Sequence, residues 1–134
     1  MLKKRVIATL IMRENKIVQS RKFGNYLPIG KPEIAVEFLN DWGVDEIILL
    51  DISATLEKRL IDIDLIKKIS SYCQIPLAIG GGIKTIDDIR NILSAGGDKV
   101  VINSKIKNDL SFFTEASKIF GKQCLVSSID IIKK

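Results

Sequence analysis

No histidine occurs in this chain, and only two cysteines, one tryptophan and three prolines do. The missing imidazole excludes the common zinc signatures, the Cys-His nucleophile and the Ser-His-Asp triad together. Cys73 and Cys124 lie far apart in sequence, one closing a helical pattern and one inside a strand run. They read as small buried hydrophobes rather than a redox pair. No metal and no cofactor is expected. No apolar run is long enough to span a membrane, and the basic start Lys3-Lys4-Arg5 leads straight into ordered pattern rather than a cleavage site. Cytoplasmic residence without membrane association is the expectation. Aromatics are sparse, and Phe38, Trp42 and Phe112 fall at helical spacing instead of forming a stacking platform. Nucleic acid is therefore not the expected partner. The formal net charge of +5 comes from dispersed lysines and suits a small phosphorylated substrate or an acidic protein.

What is present is a rhythm. Val6–Met12 is a near-continuous apolar run, as in a strand covered on both faces. Arg13–Lys16 reads as a turn into Ile17-Val18, and the polar stretch Gln19–Gly30 as a long exposed loop. Pro32 opens a helix whose apolar face is Ile34, Ala35, Phe38, Leu39 and Trp42, with Gly43 after it. Glu46–Asp51 is the second strand, and Ile63, Ile66, Ile69 and Tyr72 stripe the second helix. Leu77–Ile79 follows Pro76. Thr85 and Asp88 nearly make a capping box for the third helix. Lys99–Asn103 is strand four, Phe112–Phe120 helix four, and Cys124–Asp130 strand five.

Strands separated by helices are βα units with right-handed crossovers. A doubly wound open sheet is the rival arrangement. Polar groups at the strand ends (Asp51, Gly80–Gly82, Asn103-Ser104, Asp130) favour the (β/α)8 TIM-barrel class, where those ends share one mouth. As written, residues 1–134 are one domain, a half-barrel (βα)4 plus a fifth strand. Its unpaired edges, Val6–Met12 and Cys124–Asp130, predict self-association.

The candidate chemistry sits at those ends. Gly80-Gly81-Gly82 lets backbone N–H groups face an anion, although a tight turn without room for side chains would look the same. It is not a P-loop, lacking the Gly-Lys-Ser/Thr ending. Asn103 and Ser104 could serve the same phosphate. Asp51 and Asp130 close apolar strands, where a carboxylate has a ligand or proton to handle, or a loop to tether. Arg5, Glu46 and Lys99 open strands at the opposite end, as a salt-bridged plug or a gate.

The segments Lys4–Ile7, Asp45–Ile47, Leu50–Ile52, Gly80–Ile83, Gly97–Val100, Ile102–Ser104 and Phe120–Cys124, in that order, resemble the cyclase subunit of imidazole glycerol phosphate synthase, the HisF family. That resemblance implies a barrel enzyme of histidine biosynthesis. It takes ammonia from a glutaminase docked at the barrel bottom and acts as a lyase and cyclase on a phosphoribulosyl ribonucleotide. It assigns Gly82, Asn103 and Ser104 to a substrate phosphate and Asp130 to catalysis, to which the reading of the strand ends adds Gly81 at the phosphate and Asp51 in substrate contact. It further assigns Arg5, Glu46 and Lys99 to the ammonia gate and Asp98 to the glutaminase interface. Two positions depart from the pattern. Ile11 stands where the family has its other catalytic aspartate, and Gln19 where it has a loop lysine. A kept gate with a lost acid resembles the divergent branch linked to surface-polysaccharide (lipopolysaccharide, O-antigen) biosynthesis, where a similar barrel supplies ammonia for sugar amidation. A catalytically inactive, phosphate-binding oligomerisation module is the remaining alternative.

Overall fold

The computed structural model describes residues 2–22 and 24–131, so the expected domain limits at 1 and 134 lie outside the described residues. Among the described residues, seven strands form one sheet in the order β3-β2-β1-β4-β5-β6-β7. Five are parallel: β1 (Ile7–Arg13), β4 (Glu46–Asp51), β5 (Leu77–Gly80), β6 (Lys99–Ile102) and β7 (Leu125–Ser127). They follow one another without the reversal of strand order that defines a doubly wound sheet. Right-handed crossovers then place the intervening helices on one face of the sheet, as in a barrel wall. The fold is a half-barrel, (βα)4 plus a fifth strand.

The expected loop at Gln19–Gly30 is instead a hairpin, β2 (Lys16–Arg21) and β3 (Asn25–Gly30). Glu14 and Asn15, at φ 51° and 58°, make the two-residue turn that joins β1 to β2, the left-handed geometry whose twist matches antiparallel strands. Ile17 and Val18 are buried and anchor the hairpin. Its polar residues face outward, which is why the segment reads as loop. Pro28 is tolerated because β3 is the sheet edge. The pairing of β1 with β2 involves only Met12 and Arg13, so the lower part of β1 is an edge, as the sequence implies.

The helices are α1 (Pro32–Asp41), α2 (Ile63–Tyr72), α3 (Ile86–Ser94), α4 (Ser104–Asn108) and α5 (Leu110–Phe120). Each longer helix starts where its sequence offers a start. Pro32 sits in the first turn of α1. Asp62 accepts from the N–H groups of Asp64 and Leu65, and Thr85 with Asp88 completes the capping box of α3. The Asp109 side chain caps α5.

Leu10, Met12, Ile47, Leu49, Leu77, Ile79, Val100 and Ile102 alternate onto the helix-covered face of the sheet. There they join Val36, Ile66, Ile69, Ile89, Ile92, Phe112 and Ala116 in one core. The apolar stripe expected for α1 is only half right. Val36, Ala35 and Leu39 reach the core, whereas Ile34, Phe38 and Trp42 are exposed, with the last two rings 4.8 Å apart. Nor is β1 covered on both faces, since Ile7 and Thr9 are exposed opposite the core side. The last strand is shorter than Cys124–Asp130. A 3-10 turn at Lys122–Cys124 leads into it, and the chain leaves the ladder after Ser127. Both cysteines are half-buried free thiols. Burial pushes the Cys73 thiol up from its ordinary pKa. No described helix is long and apolar enough to cross a membrane.

Candidate functional site

Register decides which side chains share the face turned away from the helices. Ile11 pairs with Leu50, Leu50 with Gly80, Gly80 with Val101, and Val101 with Val126. These residues form one row across that face, just below the C-terminal strand ends. Asn103, two residues beyond Val101, continues the face upward. Above the row lies a cavity of about 360 Å³ lined by Gly80–Gly82, Ile83, Asn103, Ser104 and Ser128, with Leu50, Leu56 and Val101 as its apolar wall. The structure therefore brings the glycine run and Asn103-Ser104 together.

Gly81 and Gly82 have φ of 145° and 72°. A Cβ on Gly82 would lie 1.9 Å from the Arg59 carbonyl oxygen, and one on Gly81 would lie 2.8 Å from Asp51 Cβ. The tight-turn reason for these glycines thus holds whether or not a ligand binds. The first donors of α3 are already used: Asp88 Oδ2 accepts from Lys84 N and Thr85 N, each at 2.9 Å, and Thr85 Oγ1 accepts from Asp88 N. An anion at this mouth would draw on the N–H groups of Gly82 and Ile83, which are given to no acceptor among the described residues. The Ser104 hydroxyl lines the same cavity.

Asn103 serves a neighbour. Its amide Nδ2 donates to Asp130 Oδ2 at 3.1 Å, linking the ends of β6 and β7. Asp130 is exposed at the mouth. Ile11 is half-buried in the apolar row, where it can neither accept nor release a proton.

Asp51 is placed differently. Alternation turns it to the helix-covered face, in register with Met12. Its side chain is fully buried, and both its oxygens are engaged. Oδ1 accepts from Ser53 N, Ser53 Oγ and Ala54 N, and Oδ2 accepts from Arg59 Nη1 at 2.7 Å. Of the two roles open to this carboxylate, the geometry carries the tether. The Asp51 and Glu57 carboxylates in turn hold the Arg59 guanidinium above its ordinary pKa. The sequence reading missed Arg59 and Ser53. The available signal was Asp51 itself, because a carboxylate closing an apolar strand needs a cation, and Lys58 and Arg59 are the nearest ones downstream.

At the opposite end, Glu46 is 3% exposed and receives both neighbours. Lys99 Nζ lies 2.9 Å from each carboxylate oxygen, and Arg5 Nη2 lies 3.4 Å from Oε2. The three residues expected to meet there do meet. Two further acids hold this end together. Asp45 Oδ2 accepts from Val6 N at 2.6 Å, and Asp98 Oδ2 accepts from Leu77 N at 2.8 Å. Asp98 is nonetheless exposed at the rim.

The sequence pattern of the family described as "Histidine biosynthesis protein" matches residues 5–134. Over 134 residues the chain is 46% identical to a Vibrio vulnificus protein carrying the name imidazole glycerol phosphate synthase subunit hisF2; the match covers 100% of this chain and 49% of that one. It is 42% identical to imidazole glycerol phosphate synthase subunit HisF of Methanococcus maripaludis over the same span, again 49% of the relative. With HisF of Methanocaldococcus jannaschii the identity is 44% over 130 residues, 97% of this chain and 48% of the relative. The chain spans about half the length of the curated relatives it matches.

Proposed function

The chain belongs to the histidine biosynthesis protein family, and on that premise we propose that it is the phosphate-holding, ammonia-accepting half of a HisF-type cyclase subunit. The observation that carries this reading is the two-ended layout of one half-barrel. A cavity between two adjacent strand ends offers backbone N–H groups and a serine hydroxyl at the mouth. A buried carboxylate clamped by a lysine and an arginine closes the bottom. Glycine-run N–H groups beside a serine are chemistry for a phosphate monoester. Arg5, Glu46 and Lys99 would gate ammonia arriving from a glutaminase at the Asp98 rim. Such a gate works by exchanging ion-pair partners, which the shared Glu46 allows.

In this reading Asp130 is the remaining acid–base group, held by Asn103, and phosphorylated substrate lies across the row that contains Ile11. Asp51 takes no part in contacting it.

Ile11 favours a second reading, in which the same body delivers ammonia to another acceptor, such as a sugar in surface-polysaccharide synthesis. Without a second acid the mouth has lost half of a proton-transfer pair, while Arg5, Glu46 and Lys99 still meet at the bottom.

Titration with ribose 5-phosphate, followed by backbone amide shifts, tests the shared part of both readings. Saturable shifts at Gly82, Ile83 and Ser104 are expected, with affinity reduced about three- to tenfold in Ser104→Ala, the worth of one hydrogen bond. Shifts confined to the surface cations, or equal affinity for the variant, would remove this mouth as the phosphate site.

A further inference from the structure

The two glycines of the mouth rest on two particular residues. Gly81 packs against the backbone of Asp51, whose carbonyl oxygen is 2.9 Å from the place of a Gly81 Cβ. Gly82 packs against the backbone of Arg59, at the 1.9 Å noted for its carbonyl oxygen. Those supports belong to the two partners of one ion pair, Arg59 Nη1 to Asp51 Oδ2 at 2.7 Å. The segment after Arg59 is fastened to the same loop, since Ile61 N donates to Gly81 O at 3.1 Å. Within the β4–α2 connection, Arg59 N donates to Ala54 O and Arg59 Nη2 donates to Ser53 Oγ. Ser53 Oγ also accepts from Glu14 N in the β1–β2 turn.

We infer that the Asp51–Arg59 ion pair is a positioning pair. It fixes the distance between the supports beneath Gly81 and Gly82, and so pre-forms the N–H nest that receives the phosphate. Neither side chain touches the ligand. The inference rests on the proposed phosphate site, but it makes a separate statement about what sets the shape of that site. The physical reason is preorganisation. Gly81 and Gly82 sit in conformations open to glycine, a residue with unusually wide backbone freedom, so a nest built on them needs an outside template. A buried carboxylate and a 33% exposed guanidinium, locked through a serine, supply one.

The test uses inorganic phosphate as the probe and amide shifts as the readout. The variants are Arg59→Met, Arg59→Lys, Asp51→Asn and the double Arg59→Met, Asp51→Asn. Ile66→Val serves as a control that loosens the core without touching the pair. Arg59→Met leaves the buried Asp51 carboxylate without its cation, so Arg59→Lys and the double variant, which also neutralises Asp51, keep the test readable where Arg59→Met does not fold. Arg59→Met is expected to weaken phosphate about tenfold, with Arg59→Lys recovering most of the loss. The double variant is expected to bind no more weakly than Arg59→Met alone, because either change breaks the same pair. In the free protein, the Gly81 and Gly82 amides should move in Arg59→Met while Ser104 stays in place.

Wild-type affinity in folded Arg59→Met would overturn the inference. So would an equal loss in Ile66→Val, which would show general loosening instead. If the unmodified chain binds no phosphate, the Gly81 and Gly82 amides still decide. Their displacement in Arg59→Met keeps the positioning role and removes the ligand, whereas their constancy removes the positioning role.

Discussion

Gly82→Ala is expected to destabilise the fold by about 3 kcal/mol or more. Roughly 1–2 kcal/mol comes from forcing an L side chain into left-handed backbone and roughly 1–3 kcal/mol from overpacking. The contact is with the Arg59 carbonyl oxygen, which is backbone and cannot swing aside as a side chain would. Two other glycines separate the contributions. Gly43 has a similar φ of 74° but nothing within 4 Å of an added Cβ, so Gly43→Ala should show the conformational part alone, about 1–2 kcal/mol. Gly30 also has nothing within 4 Å, and its backbone is ordinary, so Gly30→Ala should stay within about 0.5 kcal/mol of the parent. Urea unfolding of the three variants gives the series directly. Equal losses at Gly82 and Gly43 would mean that the β4–α2 connection yields cheaply. The templated mouth would then be a soft one.

The second large effect concerns Ile11. Fused to the C-terminal half of a relative such as the Methanocaldococcus jannaschii protein, the chain is expected to form imidazole glycerol phosphate from a phosphoribulosyl ribonucleotide and ammonium salt very slowly. The same fusion carrying Ile11→Asp should be about 10²–10⁴-fold faster, the usual contribution of a positioned acid or base. The substitution is structurally mild, because Ile11 is half-buried on the face away from the helices and a carboxylate there keeps access to water. Its position is right as well, in the row with Leu50 and Gly80 below the cavity that ends at Ser128. A steady-state assay of both fusions decides the matter. Equal, enzyme-like rates would show that Asp130 alone suffices and that the loss of the acid does not matter. Rates equally negligible in both would favour the second reading, in which ammonia goes to a different acceptor.

How much of this was legible in the residues follows from the kind of signal each feature leaves. Parallel strands buried on their helix side leave runs such as Ile47–Leu50 and Val100–Ile102, and caps such as Thr85 with Asp88 mark helix starts. The unit order, and with it the half-barrel, could therefore be read. The bottom cluster was readable too, because Glu46 and Lys99 open their strands and must emerge at one end of a parallel sheet. The β2–β3 hairpin was not, since its buried residues Ile17 and Val18 are adjacent and most of the rest is exposed, which leaves no apolar alternation of the kind that identifies strands. The outward stripe of α1 misled because Ile34, Phe38 and Trp42 share helical spacing with a true core face; periodicity shows that a face is apolar without saying what covers it. Asp51 shows the limit most clearly. Its residue type and strand-end position suggest a mouth, but a single step in register puts its side chain on the other side of the sheet. The ion pair with Arg59 is tertiary and leaves no periodic trace.

The central claim is that the mouth between β5 and β6 holds a phosphate through backbone N–H groups and Ser104. The most direct measurement is a crystal structure of the chain grown with a phosphate monoester. The expected result is a phosphate within about 2.7–3.2 Å of Gly82 N, Ile83 N and Ser104 Oγ, with the Asp51–Arg59 pair intact beneath it. A phosphate seated instead on the hairpin cations Arg21 and Lys22, with that mouth filled only by water, would contradict the account.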